Sequence, residues 1–237
     1  MARPREFDET AALDAAVACF WSQGFEATSM RDLIERTGVA GASLYNAFGD
    51  KRSIYRRALD HYVEVSVADR MRRCEVLPPR RAIAAFFEEI VRRSAGDPEQ
   101  KGCMLVNAAL DAAPHDAGFR EAVSAVLQRL EAFFLKCVRE GQKDGTISAR
   151  VPAEDLSKHL LGVLLGVRVL ARVRPERPLL EGVVRPALAL LGDAGGDGPE
   201  WVEADDRSAA AVRKPRPEGA KPGRGRKARA ASVLGAA

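Results

Sequence analysis

The sequence lacks an apolar run long enough to cross a bilayer. Its longest such run, residues 160–167, has eight residues and ends at Arg168, whereas a transmembrane helix needs about 20. The N-terminal segment, MARPREFDETAALDAA, carries charges where a secretory signal would need an apolar stretch. We therefore expect no membrane partner and a cytoplasmic protein.

Cysteine and histidine are too scarce and too scattered to suggest a metal site. The four cysteines lie far apart and show no CxxC spacing: Cys19, Cys74, Cys103 and Cys137. The three histidines have neither metal-ligand spacing nor an adjacent nucleophile: His61, His115 and His159. These spacings argue against a zinc site, a disulfide framework and a catalytic site. We expect reduced thiols, no metal, no cofactor and no enzymatic activity.

Excess positive charge is missing from most of the chain. The net charge is +4, yet residues 1–62 carry 8 basic and 9 acidic side chains, whereas residues 213–237 carry 8 basic and 1 acidic. Large apolar residues become rare beyond Gly192, so residues 193–237 are predicted to be a disordered basic tail. Its segment KPGRGRKAR, 221–229, is either a solvated end or an added electrostatic contact to DNA.

Strand patterns and internal repeats are also missing, which predicts an all-α fold. Helical spacing and capping signals predict helices over 8–23, 29–48 (two short helices), 51–73, 80–95, 103–112, 117–141, 153–171 and 178–191. The helix from residue 51 is long enough to join two domains rigidly. Gly141 is expected to end its helix, and Pro186 is expected to kink the last one.

Residues 24–55 show the pattern of a helix-turn-helix followed by a third helix. Ser29 and Asp32 form a predicted capping box at the start, and Gly38 is placed to end the first helix in a left-handed conformation. Leu44 and Phe48, four residues apart, mark the buried side of the second helix.

These motifs resemble the tetracycline-repressor (TetR) family of transcriptional regulators. The matching residues are GF at 24–25, TSMRDLIERTGV at 28–39, SLYNAF at 43–48 and Asp50-Lys51. The resemblance implies a three-helix N-terminal helix-turn-helix domain, residues 1–50, and a six-helix C-terminal ligand-binding and dimerisation domain, residues 51–192. It also implies a sequence-specific regulator, a repressor released from its operator DNA by an unknown small-molecule effector.

The resemblance further assigns the DNA contacts. Phosphates would be held by Thr28, Ser29, Arg31, Tyr45 and Lys51, and bases would be met by Ala42, Ser43 and Asn46. The physical reason is geometric, because a major groove about 12 Å wide admits one helix whose polar side chains then reach base edges. The alternative is that these residues are simply the solvated face of a small bundle.

Two residues depart from the family pattern. Ala40 and Gly41 stand where the family commonly has Ser and then Lys. The loss of an N-cap costs roughly 0.5 to 2 kcal/mol, and Gly inside a helix about 1 kcal/mol more. We hypothesise that this recognition helix is loose in the free protein and firms up on DNA. A different function stays open: a DNA-architectural or partner-binding helical module without ligand response.

Specific recognition also requires two recognition helices about 34 Å apart, and hence a dimer. The helices near 153–171 and 178–191 carry more apolar surface than one core requires, which predicts that they pair with a second copy as a four-helix bundle. Gly162 and Gly166 would permit close helix approach. The alternative is that both helices form the core of a monomer.

An effector site is expected among the helices at 51–73, 80–95, 103–112 and 117–141. Its candidate lining residues are Phe86, Phe87, Met104, Phe133 and Phe134, although aromatic residues at helical spacing are also ordinary core. Cys103 follows Gly102 at a predicted helix start, where the helix dipole favours a thiolate. It is therefore either a redox-sensing residue or a packed core residue.

Overall fold

Residues 7–192 are described by the computed structural model, and within that range the chain forms nine helices and no strand. The N-terminal helices are α1 (Glu9–Gln23), α2 (Met30–Thr37) and α3 (Gly41–Phe48). Helix α4 runs without interruption through Lys51–Tyr62, Val63–Ala68 and Asp69–Glu75. The others are α5 (Pro79–Ala95), α6 (Met104–Asp111), α7 (Ala117–Asp144), α8 (Ala153–Val173) and α9 (Arg177–Ala189).

The predicted all-α arrangement of three N-terminal and six C-terminal helices is confirmed for this range. The division after residue 50 falls between α3 and α4 and stays a prediction, and the predicted tail, 193–237, lies outside the described residues. No helix within 7–192 is long and apolar enough to span a membrane. In the same part of the chain, no group of His, Cys, Asp and Glu side chains is arranged to hold a metal ion.

Local capping signals fix the beginnings of the N-terminal helices. Asp8 and Asp50 each accept a hydrogen bond from a backbone N–H in the first turn of α1 and α4. Ser29 and Asp32 form the predicted capping box, and Gly38 ends α2 with φ of +66°. Glycine adopts this left-handed conformation without the strain that a Cβ atom would cause.

One predicted helix end is wrong. Helix α7 continues through Gly141 to Asp144 and ends at Gly145, which has φ of +80°. Gly141 serves a different purpose, because a Cβ atom there would lie 2.5 Å from Cδ1 of the buried Ile147. The glycine therefore lets the chain that leaves α7 fold back against the helix.

Helix α4 packs against both halves of the molecule. Near its start, the ring of Tyr55 lies 4.9 Å from that of Phe20 on α1 and 5.0 Å from that of Phe119 on α7. Arg52 donates two hydrogen bonds to Asp116, the N-cap of α7, at 2.5 and 2.8 Å. The three N-terminal helices, called here the head, are therefore anchored to the remaining helices, called the body.

A buried carboxylate joins α4 to α5. Glu89, on α5, is 8% exposed and lies 2.8 Å from Arg73, 2.9 Å from Arg93 and 3.3 Å from the buried Arg70. The hydrogen bonds from Arg73, with the charges of all three guanidinium groups, lower the pKa of Glu89 to about 2. Three arginines thus share one carboxylate, and Arg73 also pairs with Asp69 at 2.8 Å.

We predict that Glu89→Gln lowers the free energy of unfolding by about 2–4 kcal/mol near neutral pH, because it leaves the buried Arg70 without a carboxylate. The folded pKa is depressed, so this stabilisation is complete above about pH 4.5 and is lost as the pH falls toward 2. Urea titrations across that range measure it.

Glu88→Gln is the matched control, since Glu88 pairs only with the exposed Arg81 among the described residues. Equal losses for the two variants at neutral pH would contradict the role given to Glu89.

Candidate nucleic-acid interface and effector cavity

Helix α3 presents one apolar and one exposed face. Leu44 and Phe48 are buried against the head, as their spacing predicted. Tyr45 is 50% exposed, and Ala42 and Asn46 are exposed beside it. Three of the side chains predicted to contact DNA therefore share one accessible face of a short helix.

Two predicted phosphate contacts lie on the accessible N-terminal end of α2. Ser29 is exposed, and its hydroxyl donates to the Asp32 carboxylate at 2.6 Å while the Ser29 N–H donates to the same group. These hydrogen bonds lower the pKa of Asp32 and hold it ionised. Arg31 is also exposed and forms no ion pair within residues 7–192, so its guanidinium group is available to a phosphate.

The structure corrects the role predicted for Thr28. This residue is only 1% exposed, and its hydroxyl donates to the Gly24 carbonyl at 2.7 Å. The side chain therefore fixes the turn between α1 and α2 and is not accessible to a phosphate. Lys51 is half-buried and donates to the Phe25 and Glu26 carbonyls at 3.0 and 3.4 Å, so its phosphate contact, still a prediction, would use its one remaining N–H group.

The start of α3 is uncapped, as its sequence indicated. Ala40 has no side chain that accepts a hydrogen bond, and no side chain caps the helix there. Gly41, in contrast, has a packing reason that the sequence did not reveal. A Cβ atom on Gly41 would lie 3.0 Å from Cδ1 of Ile34 on α2. The small residue permits the close contact between the two helices. Ser43, the third residue of α3, lies half-buried.

A divided cavity lies among the helices of the body and reaches α1 of the head. Its inner part, about 20 Å³, has mostly apolar walls and room for about one water molecule. Its outer part, about 270 Å³, is lined mainly by polar residues of α4, the end of α5, the α5–α6 connection and α8, and by Trp21 of α1. Tyr62, Arg70 and Arg168 line both parts, and we call these three side chains the partition.

Only one of the five predicted lining residues faces the cavity. Phe86 lines its inner part. The other four pack in the core instead: Phe87, Met104, Phe133 and Phe134. The rings of Phe87 and Phe134 stack with centroids 5.7 Å apart, and the ring of Phe133 lies 5.4 Å from that of Phe86. Mutual packing of these aromatic rings excludes all but Phe86 from the wall.

Cys103 contacts the partition through Tyr62. It precedes α6, is 8% exposed, and its Sγ accepts a hydrogen bond from the Tyr62 hydroxyl at 3.5 Å. Burial alone would raise the pKa of Cys103, but Arg168, the Tyr62 hydroxyl and the Val106 N–H together hold that pKa below its ordinary value. The structure thus supplies a setting that favours the thiolate, and a redox role for Cys103 stays a prediction.

The partition residues were absent from the sequence-based site. Arg168 donates to Ser94 Oγ at 2.9 Å and to the Gly102 carbonyl, while its Nε is buried and has no hydrogen-bond partner within residues 7–192. The available signal was an arginine that ends the longest apolar run of the sequence. A charge that is buried at such a position needs a partner.

The two C-terminal helices leave small apolar residues uncovered. Val169 and Val173 on α8 are 45% and 69% exposed. A Cβ atom placed on Gly162 or Gly166 of α8, or on Gly182 of α9, would meet no atom within 4 Å. Packing within one copy of residues 7–192 therefore gives no reason for glycine at these three positions.

Two protein-family profiles match the chain. The profile described as bacterial regulatory proteins, tetR family, covers residues 12–58, and the profile described as tetracyclin repressor-like, C-terminal domain, covers residues 79–185. The uncharacterised HTH-type transcriptional regulator YezE of Bacillus subtilis is 29% identical over 194 residues, 81% of this chain and 100% of YezE. The HTH-type transcriptional repressor ComR of Escherichia coli is 28% identical over 172 residues, 72% of this chain and 82% of ComR.

The chain is also similar to a solved complex of the TetR-family regulator CifR, a cysteine-substituted variant bound to 26-bp double-stranded operator DNA. The two chains are 34% identical with a TM-score of 0.72, over 80% of this chain and 100% of the CifR chain. The matched region thus includes both the head and most of the body.

We predict that Ala40→Ser raises the free energy of unfolding by about 1 kcal/mol, because the new hydroxyl can accept a hydrogen bond from the uncapped first turn of α3. Urea denaturation measures the gain. Ala42→Ser places the same group inside the helix and should lower stability by about 0.5 kcal/mol. If Ala40→Ser changes neither stability nor DNA affinity, the hypothesis of a loose recognition helix is wrong.

Proposed function

Because the chain belongs to the TetR family of DNA-binding transcriptional regulators, we propose that it is a repressor that leaves its operator when a small molecule binds. It would act as a homodimer, in the cytoplasm with the chromosome. The relatives that it matches are transcriptional regulators and not enzymes. The observation that carries the proposal is the exposed face of α3, held on a buried frame in a chain 34% identical to an operator-bound regulator.

The proposed DNA contacts combine positioning and readout. Arg31 and Ser29, at the accessible end of α2, would hold phosphates, which fix the register of the head. Asn46 and Ser43 would then meet base edges, with Ala42 close to them, while Tyr45 adds a phosphate contact. A side-chain amide can bond an adenine edge through two hydrogen bonds, which gives Asn46 the largest share of sequence discrimination.

The proposed dimer interface follows from the uncovered glycines and valines of α8 and α9. Glycine inside a helix costs about 1 kcal/mol relative to alanine, and neighbouring atoms of the same copy give no compensation at Gly162, Gly166 or Gly182. Contact with a second copy would compensate for this cost, because small residues let two helices approach closely. Pairing of residues 153–171 and 178–191 would also hold two heads at the spacing of successive major grooves.

The proposed effector site is the divided cavity. Tyr62 belongs to its wall, and the ring of Tyr62 lies 5.0 Å from the ring of Trp21 on α1. A ligand that moves this wall therefore acts on a helix of the head. Ligand binding can shift the equilibrium only by its difference in affinity for the DNA-bound and released states, and the Tyr62–Trp21 contact gives a physical basis for such a difference.

Asn46→Ala tests the assignment of readout. With an operator obtained by binding-site selection on random DNA, the variant should bind that operator about 5- to 150-fold more weakly at constant salt, because one base contact contributes roughly 1–3 kcal/mol. Gel-shift titrations measure the loss, and affinity for unrelated DNA should stay unchanged.

Gln128→Ala, an exposed change on α7, is the control. Selection that enriches no sequence, or an Asn46→Ala variant that weakens all DNA equally, would favour the architectural module over the repressor.

Gly166→Leu tests the dimer. Leucine favours a helix by nearly 1 kcal/mol over glycine and finds open space in one copy, so the monomer should fold normally. The larger side chain should block close approach of two α8 helices, and size-exclusion chromatography with light scattering should show a shift from dimer to monomer together with loss of operator binding.

The matched control is Ala125→Leu, at an exposed position of α7. A wild-type protein that is monomeric at micromolar concentration, or a Gly166→Leu variant that stays dimeric, would rule out the proposed interface.

A further inference from the structure

The partition concentrates positive charge at the boundary between the two cavity parts. Arg70 is 5% exposed, and its only carboxylate partner within residues 7–192 is Glu89, which also contacts Arg73 and Arg93. Arg168 forms no ion pair with any carboxylate in the described residues. Arg70 Nε lies 3.3 Å from Glu89 Oε1 without forming a hydrogen bond, and Arg168 Nε is buried without a hydrogen-bond partner in the same residues.

The outer cavity has the same imbalance of charge. Four cationic side chains line it: Arg70, Arg93, Lys101 and Arg168. Its single acidic lining residue is Asp97, whose carboxylate already accepts the backbone N–H groups of Glu99 and Lys101 at 3.0 and 2.8 Å. Arg70 and Arg93 share Glu89, and Lys101 pairs with Glu99, so Arg168 is the lining cation without a carboxylate partner in residues 7–192. With Cys103 as a neutral thiol, an anion at the partition would offset the charge of Arg168.

We propose that the effector is a small organic carboxylate, bound with its carboxylate group at the partition. The two oxygens would accept hydrogen bonds from Arg70 and Arg168, whose planar guanidinium groups match carboxylate geometry. The Tyr62 hydroxyl would donate to the carboxylate in place of Cys103 Sγ. This inference names the ligand class for the effector site proposed above and rests on that proposal.

The walls also limit the rest of the ligand. The inner part beyond the partition is lined by aliphatic side chains and Phe86, and it has room for little more than one small group. The outer part, about 270 Å³, has space for a single ring beside Trp21. The inner recess therefore has no room for the chain of a long-chain fatty acid.

Binding at the partition would reach the head through existing contacts. Arg168 holds the Gly102 carbonyl, and the neighbouring Lys101 carbonyl accepts a hydrogen bond from Trp21 Nε1 at 3.0 Å. A carboxylate that recruits Arg168 competes with Gly102 for its N–H groups. The α5–α6 connection and the Trp21 side chain on α1 would then shift together.

The experiment compares sodium benzoate with benzamide, which has the same shape without the charge. Calorimetric titration of the full chain at constant ionic strength should show benzoate binding at least tenfold more tightly, because charge-assisted hydrogen bonds are roughly twice as strong as neutral ones. Equal binding of the two probes, or no binding of benzoate, would overturn the proposal. If sulfate or phosphate bound as tightly as benzoate, the claim that the ligand is an organic carboxylate would be overturned.

Variants locate the site. Tyr62→Phe removes one hydroxyl and keeps the ring, so it should weaken benzoate binding several-fold while circular dichroism stays unchanged. Arg168→Gln should weaken binding at least tenfold. Arg174→Gln removes the same charge from an exposed position just beyond α8 and should have no effect. Unchanged benzoate affinity in the Tyr62→Phe variant would refute the assigned site even if Arg168→Gln fails to fold.

The operator obtained by selection separates this inference from the proposed function. Benzoate that binds and releases the operator supports both. If benzoate binds to Tyr62 and Arg168 but the operator stays bound, the carboxylate site is supported, and the proposal that a ligand at this site releases the operator is overturned. Release by an uncharged molecule, without benzoate binding, supports the repressor and overturns the carboxylate. Emission of Trp21, measured after Trp201→Phe leaves it as the one remaining tryptophan, should change only when the site is occupied.

Discussion

Continuity of α4 is the constraint on which the arrangement of head and cavity depends. The same helix carries Tyr55, packed among the aromatic rings of the head, Tyr62, at the cavity wall, and Arg70, in the charge cluster with Glu89. The three positions belong to one rigid rod because the helix is unbroken. A change at the cavity cannot be absorbed by a flexible linker and has to appear in the contacts that α4 makes with α1, including Tyr62 with Trp21.

The N-terminal fold was predictable because its signals are local. A capping box needs only residues three positions apart in sequence, so Ser29 and Asp32 could be recognised before any tertiary contact was known. Gly141 shows the limit of such signals. Glycine both ends helices and permits close packing, and the sequence favoured the first role, whereas contact with Ile147 selects the second. Gly41 likewise looked like a defect until its contact with Ile34 was visible.

The candidate sites likewise differ in how far local sequence signals predicted them. The exposed face of α3 followed from spacing, since Tyr45 and Asn46 lie opposite the buried Leu44. Burial of Thr28 depends on a turn that brings its hydroxyl to Gly24, and spacing does not report it. The cavity was harder still to predict from the sequence, because its polar groups come from α4, α5, the α5–α6 connection and α8. Aromatic residues drew attention to the core, while the chemistry lies in arginines that a sequence pattern would place at the surface.

The π-helical segment of α4, Val63–Ala68, explains how those groups meet. In a regular α-helix, residues eight apart differ by about 80° around the axis. Asp69 N–H bonds the Glu64 carbonyl, five residues back, so the segment accommodates about one extra residue. Tyr62 and Arg70 then lie within about 20–30° of each other around the helix axis, and both side chains line the cavity. A regular helix would turn Arg70 away from Arg168 while Tyr62 still met Trp21. The irregularity therefore brings the charged wall and the contact with the head onto the same side of one helix.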